Sequence, residues 1–137
     1  MKIRRESCHP LIAALDARCF PADEPVDPTE SMWWTVWSEG EAIAYAGLRV
    51  CQDPCNKGLG FLSRAGVLSA WRGQKLQKRL IRLRITAARQ LGLLELVTYV
   101  VPSNLASANS LINCGFKLYR PTYRWGGAGC LYFRKPL

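Results

Sequence analysis

The sequence predicts an α+β domain, a mixed β-sheet flanked by helices in the order β-α-β-β-β-α-β-α-β-β. Three observations lead there. Short runs rich in β-branched and aromatic residues alternate with stretches whose apolar residues recur every three or four positions, and glycine, proline and asparagine mark the joints. The chain has 137 residues, the size of one domain, so 1–137 is expected to fold around a single core. Its hydrophobic content of 49% and charged content of 21% suit such a core.

Residues Lys2 to Glu6 alternate weakly, as a short first strand would. Pro10 to Phe20 has apolar residues at 11, 12, 15 and 19, a helical spacing that Pro21 ends. Residues 21–29 are rich in proline and acid and read as a loop. MWWTVWSEGEAIAYAGLRV, from Met32 to Val50, then reads as two strands around the hairpin signal Ser38-Glu39-Gly40-Glu41. Its run Met32-Trp33-Trp34-Thr35-Val36-Trp37 suits a strand that packs one face on the core; if the other face lines a pocket, the occupant has an apolar or planar part.

Residues 51–60, with Pro54, Asn56, Gly58 and Gly60, connect to a third apolar run, Phe61 to Leu68. From Gln74 to Leu91 a stripe of Leu76, Leu80, Leu83, Ala87 and Leu91 predicts a long helix that Gly92 stops. Leu94 to Val101 reads as a buried strand broken by Pro102, and Asn104 as the cap of a helix reaching Asn113. Phe116 to Trp125 and Cys130 to Arg134 complete the sheet around Gly126-Gly127-Ala128-Gly129.

A net charge of +9 and a pI near 9.6 point to an anionic partner: a phosphorylated cofactor, nucleic acid or an acidic substrate. A basic, solvated surface explains them too. No apolar run is long enough for a membrane span. The basic N-terminus is interrupted by Asp16 and Arg18 and has no small-residue cleavage site, so a cytoplasmic location is expected. There the six cysteines are expected as reduced thiols. Cys51 and Cys55 are spaced C-x3-C, but with one histidine in the chain no metal site is expected.

The stretch WRGQKLQKRL, residues 71–80, opens the long helix with an Arg-Gly step. A helix N-terminus presents unpaired N–H groups and a positive dipole end to phosphate. An ordinary right-handed backbone over 73–77 would admit Lys75 without strain. The same residues also read simply as the start of a helix. Lys75, Lys78, Arg79, Arg82 and Arg89 fall on one helix face, a solvated surface or a contact for the phosphates of a cofactor or nucleic acid.

AGVLSAWRGQKLQKRLI resembles the strand, short Arg/Gln-x-x-Gly-x-Gly/Ala loop and helix of the GNAT N-acetyltransferase family. NLASANSLINCGF resembles its second motif, an Asn, an apolar helix and Gly-Phe, here Asn104 and Gly115-Phe116. The resemblance spans about Ile3 to Phe133. It implies a GNAT-like sheet, acetyl-CoA as co-substrate and direct transfer of acetyl to an amine on a small molecule or protein. It further implies that Ala65, Gly66 and Val67 line the pantetheine arm, with the Val67 N–H facing the thioester oxygen, and that Arg72, Gly73, Gln74, Lys75, Leu76, Gln77 and Lys78 hold the phosphates.

Val67 is equally a core strand residue, and Asn104 equally a helix cap. Asn104, Ser107 and Asn109 are within reach of the cofactor on this reading. Three departures stand out: Lys75 and Gln77 replace small residues, Leu111 replaces the tyrosine that protonates the leaving thiolate in many members, and the third strand has no carboxylate. Tyr119 and Tyr123 are substitute acids or strand packing. Glu41, Glu95 and His9 are remote candidates for the base, with water as a relay. The rival expectation is a basic nucleic-acid-binding or nucleic-acid-modifying protein on the same fold.

Overall fold

The structure is a computed structural model that describes residues 1–127 and 129–137; Ala128, expected in the last turn, lies outside them. Strand β1 (Lys2–Glu6) leads to helix α1 (His9–Cys19), and the hairpin of β2 (Met32–Ser38) and β3 (Glu41–Val50) follows. Then come β4 (Leu59–Val67), α2 (Leu76–Gln90), β5 (Glu95–Val100), α3 (Leu105–Asn113), β6 (Lys117–Tyr119) and β7 (Leu131–Pro136). The strands form one sheet in the order β1-β2-β3-β4-β5-β7-β6. The expected element order is therefore the observed one.

Every neighbouring pair is antiparallel except β4 with β5. Because consecutive side chains on a strand point to opposite faces, the aromatic run divides. Trp33 packs with Ile12, Leu15 and Tyr45 under α1, whereas Trp34 packs with Leu48, Leu62, Ile81 and Ile85 under α2 and α3. Both indoles are core, and none of Met32, Trp33, Trp34 or Trp37 lines the main cleft.

Two elements differ from expectation. The strand expected over Phe116 to Trp125 is only Lys117–Tyr119. It is an edge strand, and at Pro121, which has no N–H to donate, the chain has already left the sheet. Trp125 folds back edge-on against Phe61, Tyr99 and Tyr132, and the Gly126 N–H donates to the Tyr132 hydroxyl at 3.0 Å. Helix α2 begins at Leu76, not Gln74, and buries Leu76, Leu80, Ile81, Arg84, Ile85 and Ala88. Its inner line runs at i+4 from Leu76, so Leu83 and Ala87 pack only at the margin and Leu91 is exposed.

On the other face, the buried Asp16 of α1 joins three elements. Its Oδ1 accepts from the Tyr45 hydroxyl at 2.5 Å, its Oδ2 accepts from the Val26 N–H at 3.1 Å, and Arg64 donates to both oxygens at 3.2 Å. Burial, then the bond to Asp16, push the Tyr45 phenol well above its ordinary range. Through Val26 this network ties down the acidic loop.

Candidate active site

Strand β4 has nine residues, but β5 pairs only with Leu59, Gly60 and Phe61. Beyond Phe61 the two strands part. Thr98 Oγ1 donates to the Leu62 carbonyl at 3.2 Å at the apex, and a cleft of about 1810 Å³ opens from there. The Leu68 N–H donates to Ile43 O at 2.9 Å, toward β3. Since N–H and C=O groups alternate edges along a strand, Ala65 and Val67 point theirs the other way, into the cleft. Arg72 Nε confirms the parity by donating to Val67 O at 3.0 Å, which also ties the following loop to the strand.

A β-bulge shapes the same stretch: Gly47 of β3 faces two residues, Ser63 and Arg64, between the Leu48↔Leu62 and Ala46↔Ala65 pairs. The loop after β4 makes a single helical turn, Ser69–Trp71, and reaches α2 through two left-handed residues, Gly73 at φ +82° and Lys75 at φ +62°. The condition under which Lys75 would be free of strain, a right-handed backbone, is therefore not met. A lysine there costs about 1–2 kcal/mol of local strain, which the loop's ties to Val67 and α2 impose.

Helix α2 has no side-chain cap and no acidic residue in its first turn. The Leu76, Gln77 and Lys78 N–H groups precede the first helical bond, Arg79 N to Lys75 O, and have no partner within the helix. All three residues line the cleft, with Arg72, Gly73 and Lys75. Uncapped donors, a positive dipole end and two lysines together suit a pyrophosphate, and the open strand edge suits an amide-bearing arm.

The chain matches the Acetyltransferase (GNAT) family over residues 4–116. It belongs to the GNAT acetyltransferase family. Members use acetyl-CoA, and this chain is accordingly an acetyltransferase. No curated protein matches it by sequence. Its fold is similar to that of an IAA acetyltransferase from Bacillus cereus, with a TM-score of 0.81 and 14% identity over 99% of each chain. A ribosomal-protein-alanine N-acetyltransferase from Brucella melitensis superposes with a TM-score of 0.79 and 20% identity over 100% of both chains. A Bacillus subtilis acetyltransferase in complex with CoA gives 0.77 and 16%, covering 99% of this chain and 98% of that one.

In this GNAT domain the residues read from sequence do not all converge. Ala65, Gly66, Val67, Arg72, Gly73, Lys75, Leu76, Gln77, Lys78, Asn104 and Ser107 line the cleft; Gln74 and Asn109 do not. Asn109 is exposed on α3. Asn104 caps α3, its Oδ1 accepting from the Ser107 N–H at 3.2 Å. Tyr119 lines the cleft half-buried, and desolvation raises its phenol pKa, keeping it protonated. Tyr123 also lines it but is 76% exposed.

Of the candidate bases, Glu95 lines the cleft, whereas Glu41 is on the surface beside Arg18 at 3.7 Å and the exposed His9 opens α1. Sequence reading missed the carboxylates of Asp23, Asp27 and Glu30, which the acidic loop brings to the cleft. Hydrogen bonds from Thr29 lower the Asp27 pKa, and Glu30 pairs with Arg49 at 3.3 Å. Among the described residues no three His, Cys, Asp or Glu side chains converge on a metal position, and no helix is long and apolar enough to cross a membrane.

The left-handed Lys75 makes a prediction. Lys75→Gly removes the strain and should raise stability by about 1 kcal/mol, seen as a higher Tm. Acetyl-CoA affinity should change by no more than about tenfold, since an exposed charge contact contributes about 1 kcal/mol. Thermal melts and calorimetry on the variant measure both.

Proposed function

We propose that this GNAT protein is an acetyl-CoA-dependent N-acyltransferase that moves acetyl directly to an amine. The observation that supports it best is the open edge of Ala65 and Val67 beside the uncapped start of α2. In this reading the N–H groups of Gly73, Leu76, Gln77 and Lys78, with the side chains of Arg72 and Lys75, hold the pyrophosphate, and the Ala65–Val67 edge, Asn104 and Ser107 hold the pantetheine arm. The amine attacks the thioester carbon, the C–N bond forms and the C–S bond breaks. The Val67 N–H is the donor toward the developing oxyanion, a contact worth about 3–4 kcal/mol.

The amine's proton leaves by water toward the cleft carboxylates, Asp23 and Glu30 among them. Tyr119 is a protonated donor within the cleft, and Tyr123 is a more open one. The acceptor is a small-molecule or protein amine, and the site is the cytoplasm, where six unpaired thiols stay reduced. A panel of amines with acetyl-CoA, read by thiol release, tests the proposal. Acetyl-dependent release that scales with one amine supports it; no amine-dependent release across small-molecule and peptide amines contradicts it.

Leu111, where many family members have tyrosine, is 3% exposed among Ile81, Ile85 and Phe116, yet touches the cleft. Leu111→Tyr should cost about 1–3 kcal/mol of stability by overpacking. Its activity should lie between unchanged and about thirtyfold higher, the ceiling set by about 2 kcal/mol for protonating a thiol of ordinary pKa near neutrality. Parallel melts and initial rates check this, and a large loss of rate in folded protein would mean the ring blocks the cleft.

A further inference from the structure

Arg84 lies on the inner face of α2 and is 2% exposed, yet no carboxylate pairs with it. Its bonds go to backbone oxygens. Nε donates to Leu80 O at 3.1 Å, and Nη1 donates to Gly47 O at 3.0 Å and Ser63 O at 3.2 Å. The last two carbonyls belong to the β-bulge, so Arg84 pins the bend in β4 just past the apex where β5 departs.

Burial lowers its pKa to about 10, and the group is still charged at neutral pH. The titratable side chain nearest to it across the helix interface is Cys114, which caps the end of α3 and only partly offsets the effect of burial. A guanidinium has five N–H donors. Nε and Nη1 account for three, and neither N–H of Nη2 has an acceptor among the described residues. Yet no fully buried side-chain nitrogen or oxygen there lacks a partner, so Nη2 keeps some solvent access, and Arg84 is one of the residues that line the cleft.

A buried cation without a counter-ion is disfavoured, and an apolar surround strengthens its pull on any anion that forms beside it. Acyl transfer forms one. We propose that Arg84 faces the sulfur of the acyl donor and stabilises the departing thiolate, a task for which Leu111 has no polar atom. This rests on the acetyltransferase reading above. As the C–N bond forms and the C–S bond breaks, the C–S electron pair passes to sulfur, and Nη2 donates to it. Arg84 remains protonated throughout; the amine's proton leaves to water, and CoA takes its proton from water after release.

The test reads the thiol of bound CoA by thiolate ultraviolet absorbance against pH, with the complex of desulfo-CoA as the blank for the protein's own cysteines and tyrosines. Calorimetry establishes saturation. In wild type the bound thiol is expected to titrate about one pH unit or more below its ordinary value of roughly 8.5. In Arg84→Lys and Arg84→Met it should return toward that value.

A wild-type thiol that titrates at or above its ordinary value overturns the proposal, whether or not the variants fold. So does a folded Arg84→Met that keeps the lowered value, in which case Arg84 only pins the bulge. Wild type that fails to bind CoA at all overturns the acyltransferase reading and this inference with it, whereas binding with an unperturbed thiol overturns this inference alone.

Discussion

Gly73→Pro is expected to weaken acetyl-CoA binding at least about a hundredfold while the protein still folds. Gly73 sits at φ +82°, and proline is held near −65°, so the loop cannot keep its path. The substitution also deletes an N–H from the segment proposed to hold the phosphates. No atom lies within 4 Å of a Cβ built at Gly73, so a side chain there meets no steric block and the effect is one of backbone geometry. Gly73→Ala separates the two causes: it keeps the N–H and adds only left-handed strain of about 1–2 kcal/mol. Calorimetry on both, with melts to confirm folding, measures the difference. If Gly73→Pro binds normally, the phosphates are held by side-chain charge and the backbone cradle is wrong.

Asp16→Ala is expected to cost about 3–5 kcal/mol of stability. It leaves the fully buried Tyr45 hydroxyl and the Val26 N–H without an acceptor and Arg64 without its counter-ion. Tyr45→Phe should cost less, because Asp16 keeps Arg64 and Val26. Urea unfolding gives both values, and an Asp16→Ala loss below about 1 kcal/mol would show that water replaces the network. The same variant should raise KM for the amine more than for acetyl-CoA, because Val26 anchors the loop that carries Asp23, Asp27 and Glu30 to the cleft.

The element order was legible because each helix and strand has a local cause: the spacing in α2, the Asn104 cap of α3, the Glu39-Gly40 turn. What was not legible depends on partners far along the chain. The segment from Phe116 to Trp125 is strand-like by composition, but only three of its residues find a neighbour, on β7. Lysine ordinarily favours right-handed backbone, so the sign of φ at Lys75 comes from the ties of the loop to Val67 and α2. Arg84 was visible in principle, since it falls on the i+4 line of Leu76, Leu80 and Ala88. Charge argued against a buried face, and only the bulge carbonyls of Gly47 and Ser63 explain its place.

Likewise Asn109 and Gln74 sit in the right motifs but point elsewhere, because a motif sets a residue's neighbourhood and not its direction. The carboxylates of Asp23, Asp27 and Glu30 escaped notice for the opposite reason: residues 21–30 carry no motif and reach the cleft only through the tertiary fold.

Calorimetric titration of the wild-type protein with acetyl-CoA tests most directly whether the opening between β4 and β5 is a cofactor site. One acetyl-CoA per chain, bound at micromolar affinity and weakened by removal of the cofactor's phosphates, is the predicted result. No binding at millimolar acetyl-CoA would contradict it.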